Sequence, residues 1–134
     1  MIVYRSSTDG IGAEHLEGFF VGWPSPPSPE RHLAALRGSE HAVVALDDES
    51  GRVVGFVTVV GDGVLSAFVP LLEVLPSYQG RGIGTELVRR ALELAGNRYM
   101  VDVTCDEDLV PFYERFGMTR LVGMGMRNRR ALRA

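Results

Sequence analysis

No lysine occurs anywhere in the chain, and all fourteen basic residues are arginines. No physical rule demands this, and it reads as compositional bias; even so, it excludes a P-loop nucleotide site, which needs a Gly-Lys-Ser/Thr run. Cysteine is nearly absent as well. With Cys105 alone, no internal disulfide, cysteine-rich zinc cluster or redox pair can be assembled. No metal is therefore expected, a reducing cytoplasm fits, and Cys105 reads as a small buried residue. Long hydrophobic runs are missing too. Stretches such as Val57 to Val60, interrupted by Thr58, are far too short to cross a bilayer, and the first five residues lack the pattern of a secretory signal, so no membrane partner is expected. Nor is there an excess of positive charge. A net charge of −3 argues against nucleic acid as a partner, because that affinity depends on clustered cations. Arg127, Arg129, Arg130 and Arg133 form a local exception that can meet a phosphate, although a solvated tail is the plainer reading.

What is present suits one globular domain over residues 1–134, with 46% hydrophobic positions and no repeat. Ile2 to Ser6 reads as a short strand. Leu16, Phe19 and Phe20 recur at helical spacing and predict a helix from Ala13 to Phe20. The Trp23–Pro29 stretch, with four prolines, is a stiff loop, and Ser28-Pro29 opens a second helix that Gly38 ends. Ala42 to Leu46 and Arg52 to Val60 predict an antiparallel hairpin about the polar turn 47–51. Leu65 to Leu75 is a third extended segment in which Pro70 implies an edge, a bulge or a break, since proline has no N–H for a ladder. Ile83, Leu87, Ala91 and Leu94 then mark a helix over Gly82 to Ala95. A buried strand from Tyr99 to Thr104, a short helix from Asp108 to Phe116 closed by Gly117, and a last strand from Thr119 to Met126 complete the pattern.

The most informative stretch is Pro76-Ser77-Tyr78-Gln79-Gly80-Arg81-Gly82-Ile83-Gly84-Thr85, where an extended segment passes into the firmest helix. Glycines there leave several backbone N–H groups unpaired and uncovered, so an anion can approach along the positive end of the helix dipole, with Arg81 adding charge. A dinucleotide fold wants G-x-G-x-x-G after the first strand of a parallel unit, whereas these glycines stand at 80, 82 and 84 after an antiparallel meander. Taken alone, the turn reads equally well as structural.

Gln79-Gly80-Arg81-Gly82-Ile83-Gly84 resembles the signature Gln/Arg-x-x-Gly-x-Gly/Ala of the GNAT superfamily of N-acetyltransferases, and the order of elements is similar along nearly the whole chain. The resemblance implies an α/β (α+β) fold: a mixed, mostly antiparallel sheet of about six or seven strands flanked by about four helices and splayed between the fourth and fifth strands. It also implies acetyl-CoA as cosubstrate, its diphosphate held by backbone amides of Gln79, Gly80, Arg81, Gly82, Ile83, Gly84 and Thr85. The acyl group would lie against Leu72 and Val74 on the strand before the signature. Phe112-Tyr113-Glu114-Arg115-Phe116-Gly117-Met118 is similar to the family's Phe-Tyr-x-x-x-Gly-Phe segment, with Met118 replacing the last aromatic. Phe112 would line the cofactor site and Tyr113 would be the general acid, since a phenol with pKa near ~10 keeps a proton for the departing thiolate. Asp106 and Leu109 stand where the family often has Asn and Ala, which removes one expected contact to the pantetheine arm.

An alkylammonium must lose a proton before it attacks. Glu73, isolated in an apolar strand between Leu72 and Val74, is the first choice of base, with Asp102 and Asp106 as alternatives and a structural hydrogen bond or ion pair as the plain reading of the same carboxylate. Phe20 and Trp23 are candidates for an aromatic wall at the acceptor, and Asp106, Glu107 and Asp108 for an acidic lip, against a core cap and a helix start. The acceptor is a primary amine, arylalkylamine, antibiotic amine or peptide amine. A binding module for acetyl-CoA without turnover is the alternative to an enzyme. Homodimers are common in the family, and no interface is marked in the sequence.

Overall fold

The computed structural model describes residues 1–133. Its strands are β1 (Ile2–Arg5), β2 (His41–Asp47), β3 (Arg52–Gly61), β4 (Ser66–Phe68), β5 (Leu72–Val74) and β6 (Met100–Asp102); its helices are α1 (Pro29–Gly38), α2 (Ile83–Ala95) and α3 (Val110–Glu114). Single 3-10 turns fill Ala13–His15, Pro76–Tyr78, Glu107–Leu109 and Arg129–Arg133. The sheet runs β1-β2-β3-β4-β6, with β5 also on β3; β4 and β6 are parallel and every other pair is antiparallel. This is a six-stranded mixed sheet, with one α-helix fewer than expected.

The hairpin forms where β-branched residues crowd on both sides of an Asp-Asp-Glu-Ser-Gly turn. Gly51 takes φ +76° there, and its N–H bonds the Asp47 carbonyl at 2.8 Å. Val43, Val44 and Ala45 of β2 and Val53 to Val59 of β3 are buried on both faces, because α2 packs against one side and the 11–36 region against the other. Helix α1 starts as expected: the Ser28 side chain accepts from the Arg31 amide at 3.2 Å and Pro29 takes the first helical position. Helix α2 buries Ile83, Leu87, Val88, Ala91 and Ala95, while Glu86 pairs with Arg89 and Arg90 on its outer face, each at 2.6 Å. The approach to the sheet is close. A Cβ at Gly55 would come within 3.1 Å of Leu87 and 3.2 Å of Ile83, so glycine lets the helix sit against β3.

The third meander segment is divided at Pro70. Before it, Ser66–Phe68 pairs with both β3 and β6; beyond Val69, whose amide bonds the Asp102 carbonyl at 3.0 Å, contact with β6 ends and Leu72–Val74 keeps only β3. The sheet therefore splays at its centre, because a residue without an N–H cannot continue the ladder.

Three expectations need correction. Ala13 to Phe20 is not a helix. A single 3-10 turn covers Ala13–His15, after which Gly18 (φ +92°), Phe20 (φ +63°) and Gly22 (φ +82°) turn the chain repeatedly. Leu16, Phe19 and Phe20 are buried all the same, so their spacing reflected the core and not a helix, and Gly18 in the middle of the window disfavours one. The 99–104 strand is shorter and less buried than expected, with Tyr99 largely exposed at the sheet edge. Thr119 to Met126 forms no strand: Gly123 and Gly125 remove side chains on which strand packing depends, and Leu121, Val122, Met124 and Met126 are exposed. This segment passes Thr104 beside Gly123, and the chain after it reaches α1, where the Arg31 guanidinium donates to the carbonyls of Ala131 and Leu132 at 2.8 and 3.2 Å.

Candidate active site

The splay and the start of α2 open on the same side. Leu75 donates its amide to the Val54 carbonyl at 2.8 Å and Thr58 donates to Leu71 at 3.0 Å, so the alternating amides of β5 at 73 and 75 point to β3. Those of Leu72 and Val74 point the other way, into the gap left by β6. Next along the chain, the Gln79 side-chain amide donates to the Val74 carbonyl at 3.1 Å and ties the glycine turn to this strand edge. Gly80 and Gly82 hold φ +79° and +82°, which side-chain-bearing residues rarely adopt. Gly82 also caps α2 and offers no side chain to its first amides. The unpaired N–H groups of the first turn of this 13-residue helix consequently face open space, and a Cβ at Gly80 or Gly82 would meet nothing within 4 Å.

A cavity of about 520 Å³ lies over this turn. Leu72, Glu73 and Val74 form one wall, Gln79, Gly80 and Gly82 to Thr85 the floor, and Phe112 and Tyr113 the opposite wall. Gly84 is central, since its Cα stands where a side chain would reach 3.8 Å from Val74 and 3.9 Å from Phe112. Arg81 does not take its expected place. Its guanidinium donates to the Ser77 carbonyl at 3.3 Å and stacks 4.9 Å from the Tyr78 ring, outside the cavity wall. Tyr78 is fixed in turn by a 2.8 Å bond to Asp47, and that hydrogen bond lowers the Asp47 carboxyl below its usual range.

Arg115, by contrast, was not singled out in the sequence. It donates to the Thr85 hydroxyl at 2.7 Å and lies 5.3 Å from the Phe112 ring centre, at the mouth of the α2 turn, with no carboxylate partner among the described residues. Its position three residues after Phe112, at the C-cap of α3, was the available signal.

Tyr113 is 7% exposed. Burial, with a lesser contribution from nearby Cys105, raises its hydroxyl above the ordinary phenol value, so the group keeps its proton through neutral pH. Glu73 opposes Phe56 in the β3–β5 register, and its carboxylate accepts from the Phe20 amide at 2.9 Å and the Val21 amide at 3.3 Å. Those two bonds hold the 20–21 turn, where a left-handed phenylalanine costs about 1–2 kcal/mol.

A second cavity of about 370 Å³ adjoins the first, and Leu72, Leu109 and Tyr113 line both. Trp23 and Asp106 line the second one, as does Cys105, which is exposed rather than buried. Phe20 lines neither. It is buried behind Trp23, with ring centres 4.9 Å apart, and packs on His32 and Phe56. Of the acidic triplet, Glu107 is engaged by Arg120 at 2.6 Å, which lowers its carboxyl.

His32 is the one buried histidine behind this wall, ringed by Phe19, Phe20 and Phe56. Both its nitrogens lack hydrogen-bond partners among the described residues, and burial pushes its pKa down to about 4.

Residues 9–118 match the model of the acetyltransferase (GNAT) family. The chain is 25% identical over 123 residues to the uncharacterized N-acetyltransferase ycf52 of Porphyra purpurea, covering 88% of this chain and 71% of that protein. It is 37% identical over 123 residues to serotonin N-acetyltransferase 2, chloroplastic, of Oryza sativa subsp. japonica, covering 86% of this chain and 60% of the rice protein. A crystal structure of a candidate acetyltransferase from Deinococcus radiodurans R1 superposes with a TM-score of 0.93 at 43% identity, covering 96% of this chain and 90% of the other. With the splayed sheet and the glycine-floored cavity in place, these likenesses make the chain an acyltransferase of the GNAT acetyltransferase family.

Proposed function

We propose that the protein transfers an acetyl group from acetyl-CoA to a primary amine by direct attack. One observation carries this reading: the uncapped N-terminus of α2 opens into a cavity that runs along the free amides of β5 to Tyr113. Such a turn suits a diphosphate, because unpaired amides and the helix dipole both favour anions and no side chain intervenes at Gly80, Gly82 or Gly84. Amides of Gly82 to Thr85 hold the diphosphate within the turn that Gln79, Gly80 and Arg81 form, the Gln79 amide being already given to the Pro76 carbonyl; Arg115 adds a cation at its edge, and Phe112 closes the far side. The amides of Leu72 and Val74 take the acyl end. One of them aimed at the thioester oxygen would stabilise the charge that develops there, an effect worth roughly 10²–10³ in rate.

The amine arrives through the second cavity, beside Trp23 and Asp106. Glu73, directly or through a water, accepts the ammonium proton; a carboxylate offers about four acceptor positions, so its two amide bonds leave capacity for this. The nitrogen lone pair forms the new bond to the acyl carbon, giving a tetrahedral intermediate. As that collapses, the carbon–sulfur bond breaks, Tyr113 gives its proton to the leaving thiolate, and the surplus proton on the new amide nitrogen returns to the Tyr113 oxygen. A single exposed cysteine suits a reducing compartment for this chemistry.

Free-thiol release against a panel of primary amines tests the reading, with Tyr113→Phe as control. Turnover with at least one amine, lost in the variant, supports it. Tight acetyl-CoA binding with no turnover on any amine would replace it with a binding module.

A further inference from the structure

The second cavity carries two opposite charges that the fold leaves unused. Asp106 stands at the N-cap of the 107–109 turn, a position where aspartate ordinarily accepts from the following amides, yet its side chain makes no such bond. It also has no cationic partner among the described residues. Arg127, brought back over the cavity by the 119–126 segment, donates only to the carbonyl of Met126 at 3.2 Å and meets no carboxylate within 4.0 Å among the described residues. Both side chains line the same 370 Å³ space without forming an ion pair with each other. The same space is lined by Trp23, 40% exposed, and by Tyr113, the group shared with the first cavity.

Two charges of opposite sign that line one cavity without pairing with each other are complementary to a ligand that carries both. We propose that the acceptor is a small zwitterion: an amine bearing a carboxylate a few bonds away, as in an α-amino acid, with an apolar or aromatic side chain against Trp23. This rests on the acetyl-transfer reading and narrows it. Asp106 draws the ammonium towards the junction at Tyr113, and the Arg127 guanidinium takes the carboxylate in a charge-assisted pair. An arylalkylamine has nothing to offer Arg127 and leaves its charge facing an apolar group. Transfer then forms the amide bond at the amine nitrogen, breaks the thioester carbon–sulfur bond, and leaves the acceptor carboxylate unchanged. The product is an N-acetyl acid.

Matched pairs test this: phenylalanine against phenethylamine, leucine against isoamylamine, and methionine against 3-methylthiopropylamine. Binding to the full chain saturated with coenzyme A is measured by calorimetry, and thiol release with acetyl-CoA is followed in parallel. In at least one pair the carboxylated member should bind about tenfold or more tightly, the usual worth of a charge-assisted hydrogen bond. Arg127→Gln should erase that preference, Arg127→Lys should keep part of it, and Asp106→Asn should weaken both members. No preference for the carboxylated member in any pair, or a preference that survives Arg127→Gln, overturns the proposal. Discrimination in binding without thiol release for any compound leaves the second cavity a zwitterion-binding site and removes the acetyl-transfer reading, and with it the acceptor role.

Discussion

The two cavities that meet at Tyr113 are built in opposite ways. The first is floored and edged by main chain, with Phe112 and Tyr113 facing it: amides of β5, amides of the α2 turn, and glycines whose missing side chains leave the floor bare. The second is made of side chains, Trp23, Asp106 and Arg127, drawn from three separate loops. Main-chain donors are fixed by the fold and bind what is constant in a reaction. Side chains on loops can be exchanged without touching the sheet, and they are suited to the partner that varies.

The largest effect should come from placing a side chain on the main-chain floor. Gly84→Asp introduces a carboxylate where an anion is expected, and it should weaken acetyl-CoA binding by about a hundredfold or more. Thermal stability should be unchanged or slightly raised, because an acid in the first turn of a helix is favourable and Gly84 has no strained φ. Calorimetry paired with a melting curve checks both halves, and an unchanged affinity would break the contrast between the cavities.

At the junction, Tyr113→Phe should lower kcat by about 10²–10⁴ while leaving acetyl-CoA affinity within a few-fold. Steady-state kinetics beside equilibrium binding measures this split. Because burial raises the Tyr113 hydroxyl, the wild-type rate should not fall on the alkaline side until above the ordinary phenol range near ~10. A smaller loss belongs to Arg115→Ala. Its guanidinium, held by Thr85, adds charge to amides that already suffice, so acetyl-CoA should bind about tenfold more weakly, with greater loss at low salt than at high.

The smallest effect concerns the packing behind the acceptor wall. His32 is neutral in the fold with its pKa pushed down to about 4, whereas the unfolded chain takes up a proton near the ordinary ~6.5. The depressed folded value means that stability is full above about 6.5 and falls as the pH drops from there to about 4. His32→Leu should flatten that acid limb in denaturant titrations at several pH values, and an unchanged limb would place the acid sensitivity elsewhere.

The same contrast decides what was legible in the sequence. Where a requirement is local, it was written locally. The β-branched hairpin, the Ser28-Pro29 start, the 3.6-residue period of α2 and the Pro70 break each follow from residues adjacent in the chain. The glycine-floored turn was legible for the same reason. The 13–20 segment failed because its apolar spacing served a core contact, and what shapes it is a carboxylate more than fifty positions away, Glu73 on the Phe20 amide. Thr119 to Met126 failed because strand formation needs a partner edge, which no local pattern supplies. Arg115 on Thr85, and Arg127 lining one cavity with Asp106, are pairs 30 and 21 positions apart that only the folded chain brings together.

A crystal structure of the chain with acetyl-CoA tests the central claim most directly. The account predicts a diphosphate on the amides of residues 82 to 85, with the acyl carbonyl between the β5 edge and the Tyr113 hydroxyl. A cofactor bound elsewhere, or a glycine turn left empty at saturating acetyl-CoA, would contradict it.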